Sequence, residues 1–286
     1  MKQWRILVFT VLGCAAAQAQ WLNYTPAGTP KLKNGQVNLS APAPRTADGK
    51  PDLTGVWEHE KTPLAELRRL YGAMVDNDLD NALPGMEITT VHKYGLNALI
   101  DFKPGESPAK PNVDVEMAKH REEMLTTNVC HNRYGWPVVD LLSEPMKLVQ
   151  SPKEVVLLYE IDSLHRQIFA DGRKFPDTVE FPAMLGYSVG RWDGDTFVVE
   201  TRGFSDVTPI DGMGHPRSEQ MHVTERFHRK DFGHLDYEIT FDDPVYYTKP
   251  FTIKIPHNLV ADNDIFEMFC NQNEKDRKHM VGKPEL

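Results

Sequence analysis

Residues 221–243 read MHVTERFHRKDFGHLDYEITFDD, two runs of alternating character joined by Lys230-Asp231-Phe232-Gly233-His234. The joint fits a three-residue hairpin loop, a type I turn followed by Gly233 in the left-handed conformation. Pairing Lys230 with His234 fixes the register of both strands. One face then carries Phe227 opposite Tyr237, Glu225 opposite Ile239, Val223 opposite Phe241 and Arg229 opposite Leu235. The other carries His228 opposite Asp236, Arg226 opposite Glu238, Thr224 opposite Thr240 and His222 opposite Asp242. Facing opposite charges make a good solvated surface, so the first face is the inner one. Glu225 therefore stands among apolar neighbours, where a carboxylate is costly unless paired or used.

The same texture extends outward. Short β-rich runs separated by turn residues recur at Met146 to Gln150, Glu154 to Ile161, His165 to Ala170, Tyr187 to Trp192, Thr196 to Phe204, Glu219 to Lys230, His234 to Asp242, Phe251 to Ile255 and Ile265 to Cys270. An earlier run, Leu53 to Glu60, brings the expected number to ten. This spacing predicts an antiparallel meander closed into an up-and-down barrel wide enough for a ligand. Helices are expected at Pro63 to Val75, with Thr62 as N-cap and Pro63 at the first helical position, and at Val113 to Leu125. Residues 20–50, rich in Pro, Ala, Gly and Asn, read as an extended arm. The domain organisation is thus a signal peptide (1–19), an arm (20–50) and a barrel domain (51–286) with helical insertions in 61–130.

Two more hairpins can be placed in register. Trp192-Asp193-Gly194-Asp195 reads as a two-residue type I′ signal that sets Arg191 opposite Thr196, Val189 opposite Val198 and Tyr187 opposite Glu200. A two-residue loop at Asp162-Ser163 sets Tyr159 opposite Arg166, Leu157 opposite Ile168 and Val155 opposite Ala170.

The first nineteen residues have the parts of a secretion signal: Lys2 and Arg5, an apolar run from Ile6 to Leu12, and Ala17-Gln18-Ala19 as a cleavage site. The run is too short to span a bilayer. Val11-Leu12-Gly13-Cys14 offers the competing reading of a lipobox with a lipidated Cys14. Either way the protein is expected in the periplasm or outside the cell. Cleavage leaves Cys130 and Cys270, an even count that in an oxidising compartment predicts one disulfide. Loss of Lys2 and Arg5 moves the formal charge from -9 to -11, which disfavours nucleic acid or an anionic membrane as partner.

The segment from Pro44-Arg45-Thr46-Ala47-Asp48-Gly49-Lys50-Pro51 through Asp52-Leu53-Thr54-Gly55-Val56-Trp57 resembles the opening of a large family of secreted, mostly uncharacterised proteins of environmental bacteria. Arg166-Gln167-Ile168, Asp171-Gly172-Arg173, the 190–196 block, Thr224-Glu225-Arg226-Phe227 and Asp242-Asp243-Pro244 match it as well. The family often carries a Cys-Pro-Gly-Pro-like segment where this chain has Cys130-His131-Asn132-Arg133. Gly55-x-Trp57 on a first strand is also similar to the signature of lipocalin-like barrels, and that resemblance implies the same barrel the meander does. Neither resemblance implies a settled activity.

Glu225 is the leading candidate for chemistry. It reads either as a general acid or base in an apolar cavity or as half of an ion pair with Arg166 or Arg229. Arg166 would stabilise negative charge on a substrate, or hold its carboxylate or phenolate. His215, in the Gly-rich loop Asp211-Gly212-Met213-Gly214-His215-Pro216, reads either as an imidazole over the barrel mouth or as an exposed loop histidine. Tyr159, Tyr187, Glu200, Tyr237 and Trp57 are candidate ligand contacts. His59 is open to either reading. No histidine falls in a zinc-type spacing, and there is no Ser-nucleophile elbow, P-loop or dinucleotide fingerprint. No metal or cofactor is expected. The expectation is a cofactor-free lyase, isomerase or hydrolase acting on a small organic molecule inside the barrel. A periplasmic carrier using the same residues is the alternative, and a filled structural barrel the third.

Overall fold

A computed structural model describes residues 25–72, 75, 92–103, 105–126, 136, 137, 140, 145–178 and 181–266. Ten strands form it: β1 Gly55–His59, β2 Met146–Gln150, β3 Glu154–Tyr159, β4 His165–Phe169, β5 Tyr187–Asp193, β6 Thr196–Arg202, β7 His222–Arg229, β8 His234–Asp242, β9 Phe251–Lys254 and β10 His257–Leu259. Neighbouring strands pair in sequence order, and β10 pairs with both β1 and β8, so nine strands close a barrel. β9 and β10 lie end to end along the same edge of β8. Between them Ile255 still donates to Tyr237 O at 2.7 Å. Pro256, which has no N–H, marks the break in the ladder. Among the described residues, no helix is long and apolar enough to cross a membrane.

The expected all-β barrel is present, but it is mixed rather than antiparallel. β4 and β5 run parallel, with Ile168 opposite Ser188 and Phe169 opposite Val189. A parallel pair needs a long crossover, and the chain from Ala170 to Gly186 supplies it, threaded through Pro176 and Pro182.

The β7–β8 register is the one read from the sequence, at all eight pairs. Its loop differs in one respect: Gly233 is not left-handed. A β-carbon there would lie 2.5 Å from Cβ of Leu39, so glycine is required by the close approach of the arm. Leu39 O and Ala41 O accept the N–H groups of Gly233 and Phe232, both at 2.7 Å. Arg45 ion-pairs with Asp195. The arm thus runs along the barrel as part of it.

The other two hairpins are each shifted by two residues. In β5–β6, Asp193 pairs with Thr196, Val189 with Glu200 and Tyr187 with Arg202. The loop is Gly194-Asp195, with Gly194 at φ 60° in the first central position, as a type II′ turn requires. In β3–β4, Leu157 faces Arg166 and Val155 faces Ile168, because a 3-10 turn at Ile161–Ser163 lengthens the loop. An even shift keeps every side chain on its face, so the apolar face read for β3–β4 is the inner one although its cross-strand partners differ, and for β5–β6, whose sequence does not declare an inner face, the structure turns Ser188 and Gly190 inward. Gly190 lies on the inner wall of β5, where a β-carbon would sit 2.3 Å from the Phe197 ring.

Helix α1 spans Leu64–Tyr71 and is preceded by Pro63 rather than Thr62. Thr62 Oγ1 instead accepts the N–H of Lys93 at 2.9 Å, at the start of a short unexpected helix α2, Lys93–Leu96. Helix α3 spans Val113–Thr126. The strand expected at Ile265 is not formed at 265–266; the last strand is the three-residue β10. The signal segment, Cys130 and Cys270 lie outside the described residues.

Candidate functional site

The inner wall gathers polar groups on four neighbouring strands, a charge on each of the outer two and a hydroxyl on each of the inner two. Arg166 on β4 is 2 % exposed and Glu225 on β7 0 %. Arg166 Nη1 donates to Glu225 Oε1 at 2.9 Å, and Nη2 to Oε2, a bidentate fork. Nη2 also donates to Ser188 Oγ at 3.0 Å and Thr201 Oγ1 at 2.8 Å, and Nε to Ser188 Oγ at 3.2 Å. Ser188 on β5 and Thr201 on β6 are themselves 3.0 Å apart. Burial works against the charge on Arg166, but Glu225 more than offsets it and holds the guanidinium above its usual pKa. Of the two partners foreseen for Glu225, Arg166 is the one found. Arg229 instead donates to the main-chain oxygens of Asp52, Thr54, Asp231 and Phe232 and lies 4.9 Å from the Trp57 ring.

Above this pair sits a second carboxyl group. Tyr237 on β8 places its hydroxyl 2.7 Å from Glu225 Oε1 and 2.6 Å from Asp140 Oδ2. A phenol has one proton to give. When it goes to Glu225, the contact with Asp140 is satisfied by a proton on Asp140. Burial pushes Asp140 up to about 6, with Glu225 raising it further and Arg166 opposing. Trp136 Nε1 donates to Asp140 Oδ2. The Trp136 indole stacks on Phe204 at 5.6 Å and lies 4.2 Å under the Arg166 guanidinium. Arg217, fully buried, ties the surrounding loops together by donating to the main-chain oxygens of Trp136, Ser205 and Met184. Burial lowers it to about 9.

Two atoms of this network, Asp140 Oδ1 and the hydroxyl of Tyr159, make no short, well-aligned hydrogen bond to a described residue, but the Tyr159 hydroxyl and the Asp140 carboxyl lie close enough for a loose one to each other. Tyr159, on β3, is 3 % exposed. Burial raises its pKa well above the usual tyrosine value, and the carboxylate acting most strongly on it is Asp140.

Of the residues singled out by sequence, Glu225, Arg166, Tyr159 and Tyr237 come together. His215 does not join them. It is buried rather than exposed, and Asp211 Oδ2 lies 2.6 Å from its Nδ1. Asp211 also accepts the backbone N–H groups of Ala98, Met213 and His215. Tyr187 and Glu200 are not opposite each other and lie on the outer face. Glu200 pairs with Arg191 at 2.7 Å, and the Tyr187 hydroxyl accepts from Arg173 at 3.3 Å. Trp57 is fully buried and donates to Leu53 O at 3.0 Å. A separate buried cluster joins His59, His92 and His257, with ring centroids 5.6 and 6.3 Å apart. Burial, then its histidine neighbours, lowers His92 to about 3, and burial with His59 does the same to His257. Among the described residues no group of three or more His, Cys, Asp or Glu is arranged to hold a metal ion.

Sequence reasoning missed Asp140, Ser188, Thr201 and Trp136. Ser188 and Thr201 share the inner face with Phe197 and Val199, a face that the alternation of this hairpin does not by itself distinguish from the outer one. Asp140 lies in a stretch with no periodicity. No family model matches this chain, and neither a curated protein nor a solved structure does.

Proposed function

We propose that this protein is a secreted, cofactor-free acid–base enzyme that holds a small organic molecule within the barrel, its reacting group against Asp140 and Tyr159. One observation carries the reading: Asp140, a carboxyl buried on the inner wall, lies against two tyrosine hydroxyls, Tyr237 and Tyr159, in one network with the Arg166–Glu225 pair. Asp140 is the group that moves the proton, because its carboxyl changes ionisation near neutrality, where a general acid–base is most effective. Tyr237 holds Asp140 on the other side. The Arg166–Glu225 pair is a fixed polar platform, with both Glu225 oxygens engaged. The role first given to Glu225 therefore passes to Asp140. The reaction classes compatible with one proton-moving carboxyl and one phenol donor are elimination, isomerisation and hydrolysis. The leader-like first nineteen residues support action outside the cytoplasm.

A carrier that only retains its ligand is the second reading, favoured by the locked state of Glu225 and by the depth of the site. Mature protein and its Asp140→Asn variant, each incubated with an extract of environmental metabolites and followed by mass spectrometry, separate the two. Conversion by the wild type and not by the variant is expected. Retention of an unchanged compound by both would replace the enzyme with the carrier.

A further inference from the structure

We propose that Tyr237 is a positioning residue with two settings: its hydroxyl proton points to Glu225 while Asp140 is protonated, and turns to Asp140 once Asp140 gives its proton up. The inference rests on Asp140 as the proton-moving group, and names how the wall answers each change in its ionisation.

Tyr237 touches both carboxyls, 2.7 Å from Glu225 Oε1 and 2.6 Å from Asp140 Oδ2. It is 1 % exposed, its ring stacked on Phe227 at 4.3 Å and edge-on to His257 at 5.6 Å. The ring is thus clamped, and the hydroxyl hydrogen is the part that turns. Burial, then Asp140, holds the phenol well above the usual tyrosine value, so Tyr237 keeps its proton and redirects it. In the first setting the Asp140 O–H donates to the Tyr237 oxygen and the phenol donates to Glu225. In the second the phenol donates to Asp140 Oδ2. Glu225 is not orphaned by the turn, because Arg166 Nη1 and Nη2 still donate to its two oxygens. Trp136 Nε1 donates to Asp140 Oδ2 in both settings. No covalent bond of the tyrosine breaks; the proton that leaves belongs to Asp140 and passes to the substrate. The turn is driven by charge. An ionised Asp140 is a second buried carboxylate beside Glu225, with Arg166 already forked onto the first, and a hydrogen bond to a charged acceptor is about twice as strong as one to a neutral acceptor. The groups facing Asp140 and Tyr237 are Arg166 from β4, Tyr159 from β3, Glu225 from β7, Trp136 and, from β10, His257. Tyr159 is raised like Tyr237 and His257 is lowered to about 3, so neither the phenols nor the imidazole changes charge where Asp140 does, at about 6.

Mature protein carrying carbon-13 in its Asp and Glu carboxyls, assigned through Asp140→Asn and Glu225→Gln, is titrated by NMR from about pH 3.5 to 8, alongside Tyr237→Phe, with circular dichroism confirming each fold. In the wild type the Glu225 resonance is expected to move with the Asp140 midpoint, because Glu225 loses the phenol proton there. In Tyr237→Phe, which preserves the ring, that movement is expected to lose most of its size, leaving the through-space effect of the charge. The Asp140 midpoint is expected to rise there by about one pH unit, the differential value of one hydrogen bond to a charged group. A Glu225 resonance that stays flat through the wild-type Asp140 titration, a reading independent of whether the variant folds, would overturn the switch and leave the role of Asp140 in place. A Glu225 movement of the same size in Tyr237→Phe would overturn it as well. An Asp140 midpoint near 4, with Glu225 following it only when Tyr237 is present, would uphold the switch and remove the proton-moving role.

Discussion

Replacing Glu225 by Leu and Arg166 by Met, singly and together, exposes how the inner wall is held. Removing Glu225 alone leaves a guanidinium at 2 % exposure without a counter-charge, and removing Arg166 alone leaves a carboxylate at 0 %. Breaking a buried pair in this way costs about 3–5 kcal/mol. The double variant buries no charge. Its neighbours keep partners: Ser188 and Thr201 remain 3.0 Å from each other, and Tyr237 keeps Asp140 at 2.6 Å. Few atoms are orphaned, so the double variant should lose about 2 kcal/mol or less, where simple addition of the single losses gives roughly 6–10. Urea unfolding followed by tryptophan fluorescence at pH 7.5 reads all four proteins. A double variant destabilised by the sum of the singles would show that the two groups do not depend on each other, and would refute this description of the wall.

Acid should weaken the fold through the buried histidines. His92 and His257 titrate at about 3 in the folded protein and near 6.5 unfolded. Below pH 6.5 the unfolded chain binds protons that the folded one refuses, and by pH 5 the pair costs about 4 kcal/mol. Asp140, raised to about 6, works the other way and returns about 1.4 kcal/mol between pH 7 and 5, leaving a net loss near 3. Equal or greater stability at pH 5 than at pH 7 in urea titrations would contradict this. Gly190→Ala should cost about 1–3 kcal/mol by overpacking, since the added carbon meets the Phe197 ring at 2.3 Å; a melting temperature unchanged in calorimetry would count against that contact.

The long hairpin was legible because two independent signals agree on it: a turn of defined length, and a face of opposite charges from His222–Asp242 to His228–Asp236 that can only point to water. The β5–β6 hairpin carried two overlapping turn signals, Asp193-Gly194 and Gly194-Asp195, and nothing in its composition selects between registers two residues apart. Side chains alternate with period two, so the same two-residue shift in β3–β4 changes partners without exchanging faces, and Tyr159 and Arg166 stay on the inner face. The parallel pairing of β4 with β5 leaves no local mark, because it is made by a crossover that returns to the sheet. β10 is three residues long and shorter than any periodicity can register. Asp140 stands out only through its surroundings: Trp136 is four residues away, but Tyr237, Glu225 and Tyr159 come from three separate strands. His215 was legible as a histidine of interest, and its burial against Asp211 was not, because that contact depends on Ala98 and its neighbours folding under the loop.

The most direct test of Asp140 as the proton-moving group is its titration, followed by carbon-detected NMR of the carboxyl in protein labelled at aspartate and assigned with Asp140→Asn. A midpoint near 6, set by burial, is the expected result; a midpoint near 4, that of an ordinary solvated aspartate, would contradict it.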